Sequence, residues 1–158
     1  MQPGGIIVDH TTTSSSLSHE MNSICLKKGI NYIDAPVSGG QLGAEKGVLT
    51  IMAGGDEKSF QKIKSTLDCY AKFSKLMGPS GTGQKTKMVN QICIAGLLQG
   101  LAEGIFFSEK AGLNLKEVID VISKGAAQSW QMENRWETMS KDHYDHGFAV
   151  DHMRKDLN

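Results

Sequence analysis

The sequence predicts an α/β fold in its first half, a mainly parallel sheet with helices between the strands. Near residue 80 this gives way to an all-α part begun by one long helix. Three observations carry that reading. Short apolar runs alternate with helix-period segments as far as Met77, and Gly and Pro punctuate them at Gly29, Pro36, Gly39-Gly40 and Gly54-Gly55. From Thr82 to about Ala111 there is no Pro, and the periodicity is helical throughout. At 1.5 Å per residue such a helix is roughly 45 Å long.

Gly5 to Asp9 reads as a buried strand whose carboxyl end opens into the polar loop Thr11–Thr13. Ser14 to Ser16 are candidate N-caps, and Leu17, Met21, Ile24 and Cys25 repeat at helical spacing until Gly29 stops them. Ile30 to Asp34 is a second strand, broken by Pro36 and Gly39-Gly40. Val48 to Ala53 is a third, Phe60, Ile63 and Leu67 mark a helix, and Lys72 to Met77 is the last strand. After the long helix, which Gly112 closes, Leu115, Val118, Ile119 and Ile122 form another, and Gln131 to Met139 a third. Asp142 to Gly147 is a polar connection. The chain divides into residues 1–80 and 81–158, each small for an independent domain. Ligands of parallel sheets bind beyond the carboxyl ends of the strands, so the Thr11–Thr13 and Pro36–Gly40 loops border any site.

Composition narrows the function. The 158 residues carry 17 Lys plus Arg and 17 Asp plus Glu, so no net field draws in nucleic acid or an anionic membrane. Lys58, Lys62 and Lys64 lie near one helix with few aromatics beside them and read as a solvated face. Cys25, Cys69 and Cys93 are widely spaced and odd in number, which suits a reducing, cytoplasmic compartment better than a disulfide framework. No charged-then-apolar leader opens the sequence. Gly96, Gly100 and Gly104 recur every four residues on the long helix. Gln91, Gln99 and Glu103 on the same helix argue against a membrane span, leaving a smooth stripe for a packed helix, across a subunit interface in a homo-oligomer.

Residues Gly78 to Gln91 admit two chemistries. Gly78 to Gly83 supply the first six positions of a phosphate-binding loop, but Gln84 intrudes before Lys85-Thr86. One inserted residue turns the Lys about 100° around the helix, away from a phosphate held by the loop. In the second reading the helix starts near Thr82 and Lys87, Asn90 and Gln91 share one face at i, i+3 and i+4. A partly buried Lys near the positive end of a helix has a lowered pKa and can exchange a proton with a substrate oxygen. Taken locally, the same residues also read as solvated surface. His143, His146 and His152 lie among Asp142, Asp145 and Asp151, but their spacing is not that of a known helical ligand pair, and they read as a polar loop without metal.

Three segments and a loop occur in a telling order: Asp9-His-Thr-Thr12, Asp34-Ala-Pro-Val-Ser-Gly-Gly40, Gly83-Gln-Lys-Thr-Lys87-Met-Val-Asn90-Gln91, and Phe148 through Lys155-Asp156-Leu157. Together they resemble the β-hydroxyacid dehydrogenase family, particularly its 3-hydroxyisobutyrate dehydrogenase branch, over essentially the whole chain. The resemblance implies the C-terminal part of a Rossmann-type dinucleotide-binding sheet, followed by a helical domain begun by a long interdomain helix. It implies an NAD- or NADP-dependent oxidoreductase acting on a small 3-hydroxy acid or its semialdehyde. Lys87 matches the catalytic Lys, and Ser38, Gly39 and Gly40 match the substrate-carboxylate loop. Asn90 and Gln91 fall where the family carries a substrate-orienting amide, and which of the two serves is open. Thr12 matches the residue lining the nicotinamide side. Phe148 and Lys155 match contributions of the helical domain over cofactor and substrate, with Asp156 orienting the Lys.

The family's opening strand and G-x-G-x-x-G turn, which hold the cofactor pyrophosphate, do not occur in this sequence. The chain therefore reads as an internal fragment of a dehydrogenase, inactive by itself. A catalytically silent dehydrogenase-like binding or scaffold module is the alternative. The choice of NAD or NADP and the substrate's acyl substituent stay open.

Overall fold

The computed structural model of the chain describes residues 1–145 and 147–157. Its first elements are β1 (Ile6–Asp9), α1 (Ser15–Leu26), β2 (Asn31–Asp34), β3 (Val37–Ser38), α2 (Gly40–Glu45), β4 (Leu49–Ala53), α3 (Glu57–Leu67) and β5 (Ala71–Leu76). Four further helices follow, α4 (Thr82–Lys110), α5 (Leu115–Ile122), α6 (Trp130–Ser140) and α7 (Val150–Leu157). These elements form two compact units, Met1–Asn90 with Val150–Asn158, and Gln91–Ala149. The sequence placed a division near residue 80. The contacts carry the first unit ten residues further and return the last helix to it.

In the first unit β1 and β2 run parallel, from Ile6 opposite Asn31 to Asp9 opposite Asp34, and β4 and β5 run parallel from Leu49 to Ala53. The expected single parallel sheet is instead two pieces, β1-β2 and β3-β4-β5. Pro36 is the physical reason: it has no N–H for a ladder and its ring fixes φ, so the chain turns and Val37–Ser38 pair antiparallel with Ile51 and Thr50. The pieces are joined where Asp34 N–H donates to Gly54 O at 3.1 Å and Gly54 N–H returns a bond to Asp34 O at 2.7 Å. The short helix α2 went unread because its six residues include two glycines and no apolar period. Ile33, Ala35, Leu49, Ile51, Ala53, Phe60, Leu67 and Ala71 form the core. Ser14 caps α1 through the Leu17 N–H, and Asp56 caps α3 through that of Ser59.

The start of α4 lies hard against this sheet. Gly83 is buried, and a Cβ there would sit 2.7 Å from both the backbone oxygen and the carboxylate of Asp34. Only glycine lets the helix approach so closely. Gly83→Ala gains about 1 kcal/mol of helix propensity but forces its methyl against the carbonyl oxygens of Met52 and Asp34. The expected net loss, about 1–3 kcal/mol by overpacking, is read as a lower melting temperature.

The second unit packs Leu101, Ile105, Ile119 and Met132 together, with Leu115, Ile122, Trp136 and Met139 against them. Gly112, at φ 69°, ends α4, Asn114 caps α5 and Ser129 caps α6. A Cβ built on Gly96, Gly100 or Gly104 would meet nothing within 4 Å. Among the described residues the stripe thus meets no other part of the chain, and Ile92, Leu97, Phe106 and Phe107 on the same helix are exposed. By length and composition alone, α4 is long and apolar enough to cross a membrane.

Candidate active site

Asp34 ends β2 with its side chain fully buried. Its Oδ1 accepts the Gly81 N–H at 2.6 Å and its Oδ2 the Gln84 N–H at 3.1 Å. These are orphan donors of the first turn of α4, and a carboxylate there is also favoured by the helix dipole. The strand thereby fixes where the helix begins. Gln84, also fully buried, reaches back: its Oε1 accepts the Thr13 N–H at 3.0 Å and its Nε2 donates to Thr11 O at 2.7 Å. One amide therefore holds both ends of the Thr11–Thr13 loop, matching its donor to a carbonyl and its acceptor to an N–H. On the strand side Asp9 takes the Tyr32 hydroxyl at 2.7 Å and the Thr11 N–H at 2.9 Å. Burial pushes the Asp9 carboxyl up, but these bonds outweigh it and hold it below its ordinary value.

Lys85 is exposed and Lys87, half a turn further along α4, is buried. The Lys87 ammonium donates to Val37 O at 2.8 Å, at the entrance to the Ser38–Gly40 loop. Burial pulls its pKa below the ordinary lysine value; Asp156 opposes that shift and Lys155 adds to it. A lysine so placed gives up its proton more readily than one in water.

Around Lys87 the first unit brings together most of the residues singled out in the sequence. Ser38 is half-buried, while Gly39 and Gly40 are exposed with φ of 135° and 60°. A Cβ at Gly39 would come within 3.0 Å of the Leu49 side chain, so glycine is required there for space as well as conformation. Lys155 donates to Thr12 O at 2.9 Å and pairs with Asp156 at 2.8 Å. Because α7 belongs to the first unit, Lys155 reaches this loop from the sheet's own unit and not from the separate helical body that was expected. Asn90 is half-buried and Gln91 buried, one turn beyond Lys87 on α4. Phe148 belongs to the second unit and is 51% exposed. Of the histidines weighed for a metal, His146 lies outside the described residues. Among the described residues no three His, Cys, Asp or Glu side chains are grouped to hold a metal ion.

Asp34 and Gln84 were missed as site residues. Gln84 figured only as the residue that spoils a phosphate loop; a both-way donor and acceptor in the first turn of a helix was the available signal. Gln84→Leu keeps the volume but strands the Thr13 N–H and the Thr11 carbonyl. The expected cost is about 2–4 kcal/mol, with faster hydrogen exchange confined first to residues 11–13.

Residues 1–90 match the NAD binding domain of 6-phosphogluconate dehydrogenase, and residues 81–158 match the NAD-binding region of NADP-dependent 3-hydroxyisobutyrate dehydrogenase. The chain belongs to this family of NAD(P)-binding hydroxyacid dehydrogenases. It is 57% identical to an uncharacterized oxidoreductase of Shewanella frigidimarina, over 99% of this chain and 54% of that protein. It is 42% identical to the probable 3-hydroxyisobutyrate dehydrogenase-like protein 1, mitochondrial, of Arabidopsis thaliana, over 99% of this chain and 47% of the relative. Among solved structures, 3-hydroxyisobutyrate dehydrogenase of Mycobacterium tuberculosis superposes with a TM-score of 0.89 at 28% identity, covering 99% of this chain and 56% of the other. The chain spans about half the length of the curated relatives it matches.

The residues present fit one end of a dinucleotide. The Thr11–Thr13 loop is hydrogen-bonded at both ends and carries the Lys155 ammonium on Thr12 O, a polar setting that suits a nicotinamide. The glycine-rich pyrophosphate turn is not in this sequence.

Proposed function

We propose that this chain forms the nicotinamide and substrate side of an NAD- or NADP-dependent dehydrogenase that interconverts a small 3-hydroxy acid and its semialdehyde, of 3-hydroxyisobutyrate type. The observation that carries the proposal is a buried Lys87, its pKa lowered, donating to the peptide that opens the Ser38–Gly40 loop. The family supports the class of reaction; the Ser38 hydroxyl and the two glycine amides beside the Lys87 acceptor support the class of substrate.

Bound NAD or NADP supplies the hydride for reduction and accepts it in oxidation. The chain's own residues do the rest. Ser38 and the Gly39 and Gly40 amides hold the substrate carboxylate, and Asn90 or Gln91 orients the reacting oxygen. That oxygen replaces Val37 O as the partner of Lys87. In reduction Lys87 gives its proton to the carbonyl oxygen as the carbon gains hydride, leaving a neutral amine that burial favours. In oxidation the amine takes the hydroxyl proton back. Thr12 lines the nicotinamide side, and Lys155, oriented by Asp156, steadies the Thr12 peptide.

The test is reduction of small carboxylate-bearing semialdehydes by NADH or NADPH, using a protein that carries this chain at the full length of its relatives. Turnover with such aldehydes, but not with analogues lacking the carboxylate, is the expected result. Cofactor binding without turnover of any hydroxy acid or semialdehyde would favour the binding-module reading. We also assign the glycine stripe of α4 to a homo-oligomer contact; Gly100→Arg should then yield smaller particles in sedimentation, and an unchanged mass would refute it. The free cysteines Cys25, Cys69 and Cys93 support a reducing, cytoplasmic setting. Exclusion of Cys25 from reaction with a thiol reagent in the native state, and full reaction on unfolding without reductant, would agree with it; a requirement for reductant would not.

A further inference from the structure

We infer that His10 is a positioning residue for the Lys87 site, tying the loop after β1 to the peptide segment that receives the Lys87 ammonium. The inference rests on the dehydrogenase reading above and deepens it. His10 follows the last residue of β1, and both of its ring nitrogens are engaged. Nδ1 lies 2.6 Å from Ala35 O and Nε2 2.9 Å from the Tyr70 hydroxyl. A carbonyl can only accept, so Nδ1 carries the proton, and in the neutral ring Nε2 accepts from Tyr70. The Tyr70 ring stands edge-on to the imidazole, with centroids 5.6 Å apart and planes at 88°.

This arrangement couples three segments distant in sequence. Ala35 is fully buried and is held on both sides of its backbone: its N–H donates to Asp9 O at 2.7 Å, and its carbonyl takes His10. Two residues later, Val37 O accepts the Lys87 ammonium. In the other direction His10 adjoins Thr11 and Thr12, whose carbonyls take Gln84 and Lys155. A shift of the imidazole therefore moves the Lys87 acceptor and the nicotinamide-side loop together. Proton transfer tolerates little displacement, and a misplacement of about 1 Å can cost up to about 100-fold in rate.

Three substitutions in the protein at the full length of its relatives separate positioning from mere packing. His10→Phe keeps a ring but removes both nitrogens. His10→Asn places an amide N–H where Nδ1 stands and so keeps the Ala35 bond. His10→Gln places its polar atoms where Nε2 stands and keeps only the Tyr70 side. The expected result is a fall in kcat of about tenfold or more for His10→Phe, with unchanged oligomer mass. His10→Asn should recover most of that loss, and His10→Gln should not. Hydrogen exchange at residues 35–39 should quicken in His10→Phe and return to normal in His10→Asn. Retention of kcat within about twofold in His10→Phe, or equal recovery by Asn and Gln, would overturn the inference. If the unsubstituted protein turned over no hydroxy acid or semialdehyde, the dehydrogenase reading would fall first, and His10 with it as a positioning residue. The exchange pattern would still report whether the tether exists.

Discussion

Lys87→Ala, made in the protein at the full length of its relatives, lowers kcat for semialdehyde reduction by about 1,000-fold, within the range removed with a general acid. The expectation follows from position as much as from residue type. Lys85 lies two residues away on the same helix and is exposed; its substitution should change kcat little. Lys87 is 6% exposed, with Val37 O as its partner and the Ser38–Gly40 loop beginning at the next residue. The same burial has a consequence for stability. Between its lowered pKa and the ordinary value of 10.5, Lys87 binds fewer protons folded than unfolded, so its contribution to stability rises with pH across that window. Lys87→Ala removes that slope. The alanine protein should still fold near neutral pH, the lost buried charge offsetting part of the cavity and the stranded Val37 carbonyl, while being almost inactive, a combination that thermal unfolding and initial rates report together.

Asp34→Asn lowers stability by about 3–5 kcal/mol, from a hydrogen bond to a charged acceptor, a stranded N–H and a helix-terminus charge. In a chain of this size that is a fall in melting temperature of roughly 10 °C. The carboxylate is buried and accepts from both Gly81 and Gln84. An amide keeps one acceptor oxygen but turns an NH2 toward the other N–H. The loss then spreads, because Gln84 holds the Thr11–Thr13 loop and the same first turns of α4 place Lys87. Weaker cofactor binding is expected alongside the lower melting temperature. A melting temperature within about 2 °C of the original would mean that Asp34 does not anchor the helix.

Much of the scaffold was legible because it rests on local signals. The periodicity of Leu17, Met21 and Cys25, the Ser14 cap, and the uninterrupted stretch from Thr82 to Lys110 are properties of neighbouring residues, and the helices lie where those signals end. The antiparallel pairing of Val37–Ser38 was not legible, since two residues carry no period and their partners, Ile51 and Thr50, lie beyond a helix. The position of Lys87 could be read as soon as Gln84 was seen to displace Lys85 from the phosphate-loop position. What Gln84 does instead could not be read: its partners Thr13 and Thr11 are 71 and 73 residues away, and no spacing rule spans that distance. Asp34 stood inside a recognised segment, yet its capping of a helix 47 residues on is a property of the folded chain alone. His10 sat unremarked inside the short segment Asp9–Thr12, and only the fold brings Ala35 and Tyr70 to its two nitrogens.

The central claim is that Lys87 transfers the proton, and the pH dependence of kcat for reduction tests it most directly. Reduction needs the protonated amine, so kcat should fall as pH rises through a pKa below 10.5, while oxidation needs the free amine and its rate should rise with pH. In Lys87→Ala that limb should vanish from the small residual rate. A limb that persists unchanged in Lys87→Ala, with kcat within about tenfold of the original, would contradict the claim.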